Sequence, residues 1–150
     1  MVSESSFLSI LMKKSRDLSA SDIHLHVDSP PLLRIKGSLV KVEDMPVITS
    51  EKIQEIIKDA LVKEKDRETL EENGSIDIAL AMQNVGRFRV NFFKQRGFTS
   101  IVARRISDEI PDFKILNLPE SIGNISRFVN GLVLVTGPTG CGKSSTLAAL

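Results

Sequence analysis

A single cysteine, Cys141, occurs in the 150 residues. One thiol cannot close an intramolecular disulfide, so a disulfide-stapled secreted scaffold is excluded and a reducing compartment is expected. Net charge is also scarce: 20 Lys and Arg against 19 Asp and Glu leave +1. That balance excludes the strong overall basic field of a nucleic-acid coat, though not a local patch, and no nucleic-acid partner is expected. No apolar run approaches the ~20 residues needed to cross a bilayer, so no direct membrane span is expected. Internal repeats and low-complexity tracts are missing. The first residues place an acid before the apolar stretch and lysines after it, the reverse of a secretory signal. What is present is globular composition, 41% hydrophobic and 26% charged, enough for one domain or for a small domain and the start of another. The expectation is a soluble cytoplasmic protein.

The pattern along the chain changes once. Phe7, Ile10, Leu11 and Leu18 predict a short amphipathic helix over residues 5–18. Ile23, Leu25 and Val27 then alternate with Asp22, His24, His26 and Asp28, a half-buried strand that Pro30-Pro31 ends. Strands at 32–36 and 39–43 follow, with a hairpin turn at Gly37-Ser38. Thr49-Ser50 opens a helix whose packing stripe is Ile53, Ile56, Ile57, Ala60 and Leu61. A second helix, over 65–72, stops at Asn73-Gly74, and its mixed charges suit a solvated face. Strand-like stretches at 75–82, 87–94 and 98–106, with turns at 84–86 and Arg96-Gly97, complete an α+β layer with an antiparallel meander over residues 1–107. Ser107-Asp108-Glu109-Ile110-Pro111 marks the change, and 108–118 reads as a linker. Residues 119–150 then predict a helix near 119–128, a turn at Asn130-Gly131, a strand buried on both faces at Leu132-Val133-Leu134-Val135, and a helix from Lys143.

Between that last strand and helix lies the sharpest chemistry. Gly137-Pro138-Thr139-Gly140-Cys141-Gly142-Lys143-Ser144 satisfies G-x-x-x-x-G-K-S/T at every fixed position. Three glycines let the backbone curl so that successive amides point inward at phosphate oxygens, and the helix start adds its positive dipole end. Lys143 is placed for the β- and γ-phosphates of ATP, the Ser144 hydroxyl for Mg²⁺, and the cradle extends to Ser145. Such a pattern arises by accident in roughly one chain in a few hundred of this length, given ordinary glycine usage. Here it also has a strand-like run before it and a helix signal after it. Cys141 fills a variable loop position; it is either inert filler or a thiol acidified by the helix start.

The segments upstream narrow this broad class. Ser21-Asp22-Ile23-His24-Leu25 and Pro30-Pro31-Leu32-Leu33-Arg34-Ile35-Lys36-Gly37 resemble the opening of the secretion and type IV pilus ATPases. Gly86-Arg87-Phe88-Arg89-Val90-Asn91, Gln95-Arg96 and Val102-Ala103-Arg104-Arg105-Ile106 resemble the later part of that N-domain. Residues 131–140 resemble the entry to the motor domain, and the look is nearest to the pilus-retraction branch. The resemblance implies a PAS-like N-domain followed by the start of a RecA-like P-loop domain. It also implies ATP bound with Mg²⁺, a homo-hexameric ring, and a platform protein of the pilus machine at the inner membrane. Cys141 departs from the serine usual after Gly140. The family's Walker B, Asp-box and His-box motifs lie beyond the P-loop and are not in these residues, so the 150 residues read as a fragment inactive by itself.

Alternation puts Arg87, Arg89 and Asn91 on one strand face and Phe88, Val90 and Phe92 on the other. By itself this is an exposed face opposite a core face. The resemblance implies more: Arg89 and Arg104 match the N-domain arginines presented to the phosphates, with Arg87 and Arg105 as neighbours. A planar, permanently charged fork suits the spreading charge of phosphoryl transfer. His24 and His26 share a face, but no third clustered His or Cys supports a metal site, and the resemblance makes Asp22 and His24 structural. Rival readings are a secretion, pilus-assembly or competence ATPase of the same family, a small-molecule P-loop kinase, and a non-catalytic N-domain module.

Overall fold

Alternating apolar residues in six short segments produce a single antiparallel sheet. The computed structural model describes residues 6–106, 112–138 and 140–150. Its strands are β1 (Asp22–Leu25), β2 (Leu32–Ile35), β3 (Ser38–Lys41), β4 (Ser75–Met82), β5 (Gly86–Gln95) and β6 (Phe98–Ile106). They run in the order β3-β2-β1-β6-β5-β4, so two hairpin systems distant in sequence meet along β1 and β6. Helices α1 (Phe7–Asp17), α2 (Ser50–Ala60) and α3 (Glu64–Asn73) complete this first unit. The chain divides into two units, Met1–Ile106 and Ser107–Leu150.

Three helix ends have a local cause. The Ser6 hydroxyl accepts from the Ser9 amide, and the Thr49 hydroxyl accepts from the Lys52 amide, each filling one orphan donor of a first turn. Gly74 closes α3 at φ +72, a conformation that glycine adopts without a Cβ penalty. One face of the sheet and the apolar stripes of the helices then share one core. It holds Leu8, Leu11 and Met12 of α1, Ile53, Ile56 and Ile57 of α2, and Leu70 of α3, against Ile23, Leu33, Phe88, Val90, Phe92, Ile101 and Ala103. The other face carries Arg34, His24, Arg104, Arg89 and Asn91.

Four local expectations change. The β2–β3 turn is Lys36-Gly37 rather than Gly37-Ser38. Ser38 pairs with Ile35, and positive φ at both Lys36 and Gly37 makes the mirror-image turn whose twist suits a two-residue hairpin. Asp22 departs from the alternation: it is only 5% exposed, because arginines from both neighbouring strands close on it. In the second unit, Glu120–Arg127 is a 3-10 helix with no buried residue, not an α-helix. Leu132-Val133-Leu134-Val135 is not a buried strand; Leu132 is 83% and Leu134 74% exposed. A strand needs a ladder partner for its amides and carbonyls, and among the described residues none pairs with this run. A fourth helix, α4 (Lys143–Ala149), follows.

Phe88 and Phe92 anchor the core from β5, both fully buried. Replacing either with alanine should cost about 3–5 kcal/mol. Since the chain has no Trp or Tyr, chemical denaturation followed by far-ultraviolet circular dichroism is the suitable measurement. A loss under about 1 kcal/mol would show that this face is not the core.

Candidate functional site

The glycine-rich loop of the second unit is a tight curl. Gly137 has φ +152, a backbone conformation that side chains rarely adopt, and a Cβ built on it would lie 2.7 Å from the Cys141 sulfur, which would have to swing aside. The Lys143 ammonium donates to the carbonyl oxygens of Gly137 at 2.9 Å and Pro138 at 2.8 Å. It is therefore folded over the loop, with its Nζ 3.9 Å from the Cys141 sulfur. Gly142, at φ +95, leads into α4, where the Thr146 amide donates to the Gly142 carbonyl at 2.9 Å. Ser144 is exposed on the first turn and Ser145 partly so. Cys141 is a free, exposed thiol. Thr139 and residues 108–111 of the expected linker lie outside the described residues. The donor set is a backbone curl that only glycine permits, a lysine over it, and an adjacent serine hydroxyl. Its chemistry fits a polyphosphate and the oxygen-loving Mg²⁺ that accompanies one.

In the first unit the arginines fall into one lateral row. Leu39, Arg34, Asp22, Arg104, Arg89 and Ala79 are successive register partners across all six strands. Arg104 and Arg89 stand directly opposite each other, an arrangement that repels. A carboxylate on either side offsets it. Asp77 takes Arg89 in a two-pronged pair, Nε at 3.2 Å and Nη2 at 3.1 Å, and both side chains are exposed. Asp22 takes Arg104 through Nε at 2.9 Å and faces Arg34 Nε at 3.3 Å. Ser21 adds a hydroxyl donated to Asp22 Oδ2 at 2.8 Å. Arg87 and Arg105 also lie on these strands, Arg87 exposed and Arg105 partly so.

Burial alone would raise the Asp22 carboxyl above its ordinary range. The Arg104 and Ser21 hydrogen bonds and the Arg104 charge outweigh burial and hold it below that range. His24 is pushed down, first by burial and then by the Arg34 charge, so it is neutral near pH 7. Its Nε2 lies 3.5 Å from Arg34 Nη2, and its ring stacks on His26 at 6.4 Å between centroids. His26 Nδ1 in turn meets the Ser100 hydroxyl at 3.0 Å. Among the described residues no three or more His, Cys, Asp or Glu gather into a metal-binding group. Sequence reasoning singled out Arg89 and Arg104 but missed Asp77 and Arg34 as their company. Asp22 was read as structural without its partners. The signal was present only as alternation parity, since which strands are neighbours decides who meets whom.

No family model matches the chain. It is 36% identical over 140 residues to the type IV pilus retraction ATPase PilT of Pseudomonas aeruginosa, covering 93% of this chain and 40% of that protein. It is 32% identical over 140 residues to the type IV pilus ATPase PilU of the same organism, covering 93% and 36%. Among solved structures, the pilus retraction motor PilT with bound ADP matches with a TM-score of 0.81 at 42% identity, over 96% of this chain and 41% of that one. The ATPase DotB of Legionella pneumophila matches with a TM-score of 0.65 at 26% identity, over 95% and 40%. The chain spans about two fifths of the length of these relatives.

The lowered Asp22 pKa has a pH signature. Its ionised form favours the folded state, so its contribution is complete above the unfolded carboxylate range, about pH 4. That contribution is lost as pH falls through the lower folded value. Asp22→Asn should therefore be less stable than the parent chain at pH 5, with the difference shrinking on acidification below about pH 4. Thermal melts across that range test this; a constant difference down to pH 3 would contradict the assignment.

Proposed function

We propose that this chain, a PilT homologue of the type IV pilus ATPase family, supplies the N-domain and the nucleotide-binding loop of an ATP-driven pilus motor. The N-domain is PAS-like, and residues 119–150 open a RecA-like ATPase domain. In the working protein six subunits form a ring at the cytoplasmic base of a type IV pilus, engage the inner-membrane platform protein, and drive retraction by ATP hydrolysis. Among the described residues no helix is long and apolar enough to cross a membrane. The observation that carries the reading is the loop itself, with Lys143 folded over a curl whose Gly137 has a backbone conformation that favours glycine.

Each residue has a stated task. The backbone of Gly137, Pro138, Thr139, Gly140, Cys141 and Gly142 binds the phosphates, and Lys143 exchanges its two carbonyl contacts for phosphate oxygens. The hydroxyl of Ser144, with Ser145 beside it, would hold Mg²⁺, which would supply charge neutralisation to the phosphates. Arg89 and Arg104 stabilise the charge that develops during phosphoryl transfer, so they act on the transition state more than on binding. PilU and DotB, to which the chain is also similar, are ATPases by name, so a secretion, pilus-assembly or competence ATPase of the same family is the alternative reading.

In the full-length protein, Lys143→Ala should abolish ATP turnover. Mg-ATP should slow alkylation of Cys141 in the parent chain but not in the variant. Equal alkylation rates with and without Mg-ATP in the parent would contradict nucleotide binding at this loop.

Arg89→Ala and Arg104→Ala should each lower turnover by about 10³-fold or more, with much smaller changes in ATP affinity. Lysine should rescue only in part, because a point charge lacks the planar fork. Parental turnover in both alanine variants would remove these arginines from the mechanism.

A further inference from the structure

We propose that Asp22 is a positioning residue for Arg104: it grips the Nε edge of the guanidinium from within the sheet and presents the two terminal nitrogens outward as a fixed fork. This rests on the phosphate-facing role of Arg104 proposed above and adds what aims it. Asp22 is 5% exposed whereas the Arg104 side chain is 72% exposed, so the pair is buried at its root and open at its tip. The contact is made by Nε alone, at 2.9 Å to Oδ1. An arginine has five N–H donors; this contact engages the one on Nε, and the side chain that carries the other four is 72% exposed.

The carboxylate is itself fixed. Ser21 Oγ donates to Oδ2 at 2.8 Å, Arg34 Nε stands 3.3 Å from the same oxygen, and Arg104 has the other oxygen to itself. Backbone bonds on both sides, Ser21 N to the Arg34 carbonyl and Arg105 N to the Ser21 carbonyl, each 2.9 Å, hold the three strands in register around it. An unanchored arginine samples many rotamers, and the facing Arg89 would drive Arg104 away. Asp22 counters both effects at once. Arg89 is a contrast within the same row: Asp77 occupies its Nε and one terminal nitrogen together, so its fork is engaged on the surface rather than aimed. Arg34 is the second cation on Asp22, and its Nη1 is tied to the Gly37 carbonyl at 3.1 Å, which keeps it at the hairpin.

The test is steady-state turnover, nucleotide affinity and thermal melting of the full-length protein carrying Asp22→Asn, Arg104→Ala, both together, and Arg34→Met. Misaiming a group that acts only in the transition state costs on the order of 10²-fold in rate. Asp22→Asn should therefore lower kcat by about that factor with nucleotide affinity nearly unchanged, a split that loss of packing alone does not produce. Added to Arg104→Ala it should cost nothing further in turnover, because the effect passes through one side chain. Arg34→Met, which removes one of the groups fixing Asp22 but leaves its bond to Arg104, should lower the melting temperature and lower kcat by less than Asp22→Asn does. Parental turnover in folded Asp22→Asn, alongside slow Arg104→Ala, overturns the positioning role and leaves the arginine role standing. Parental turnover in Arg104→Ala overturns both. Should Asp22→Asn fail to fold, the unaltered chain decides. Its Arg104 Nε–H resonance, identified by its loss in Arg104→Lys, should exchange with solvent more slowly than that of the exposed turn residue Arg96. Exchange as fast as Arg96 overturns the proposal.

Discussion

The antiparallel pairing of β1 with β6 joins residues as far apart as Asp22 and Arg104, 82 positions distant in the chain. It converts a β1-β2-β3 meander and a β4-β5-β6 meander into one sheet. Either half alone would leave an edge strand with unpaired amides and carbonyls on one side and would expose the apolar residues of its inner face. Ile23 and Ala103, partners across this seam, are both fully buried. The same register that buries them sets Asp22 between Arg34 and Arg104 on the opposite face. A slip of one residue would exchange the two faces, placing the carboxylate in the core and isoleucine in the arginine row. Core packing and the charge arrangement are thus two consequences of one register.

What was legible in the sequence divides along the same line. The β5–β6 hairpin with its Arg96-Gly97 turn, the Thr49 cap, the Ile53/Ile56/Ile57 stripe and the Gly74 stop are all set by residues within a few positions of one another, and the structure has them where local chemistry puts them. The burial of Asp22 depends on β1 lying between β2 and β6. Period-2 alternation says that Asp22, Arg34, Arg104 and Arg89 each occupy a polar face, but nothing in it says that they share one row. The Leu132–Val135 run fails for the opposite reason. Its apolar content reports a preference for burial, whereas burial itself requires a paired neighbour, and among the described residues it has none.

The glycine-rich curl was legible as a backbone feature because its constraints are internal. A curl of eight residues needs glycine where φ is positive and where another atom comes too close, and Gly137 meets both conditions. The position of Lys143 follows from its own loop, since its ammonium reaches carbonyls only five and six residues back. Those carbonyls carry partial negative charge, so neutral acceptors of the loop's own backbone hold the ammonium over the curl. Charge-assisted bonds to an anion are the stronger kind, which is why the proposed exchange of these contacts for phosphate oxygens is favourable.

Two of the three arginines in the row, Arg89 and Arg104, show how identical side chains on partner positions come to be held differently. Arg89 is paired in the open, where water and salt screen the attraction to Asp77 and the pair exchanges easily. Arg104 is paired with a carboxylate that has almost no water of its own. For Asp22, losing a cation means leaving a buried charge less compensated, a far costlier state than losing a surface partner. The consequence is a difference set by depth rather than by residue type: the surface carboxylate holds Arg89 weakly at Nε and Nη2, and the buried carboxylate holds Arg104 firmly at Nε.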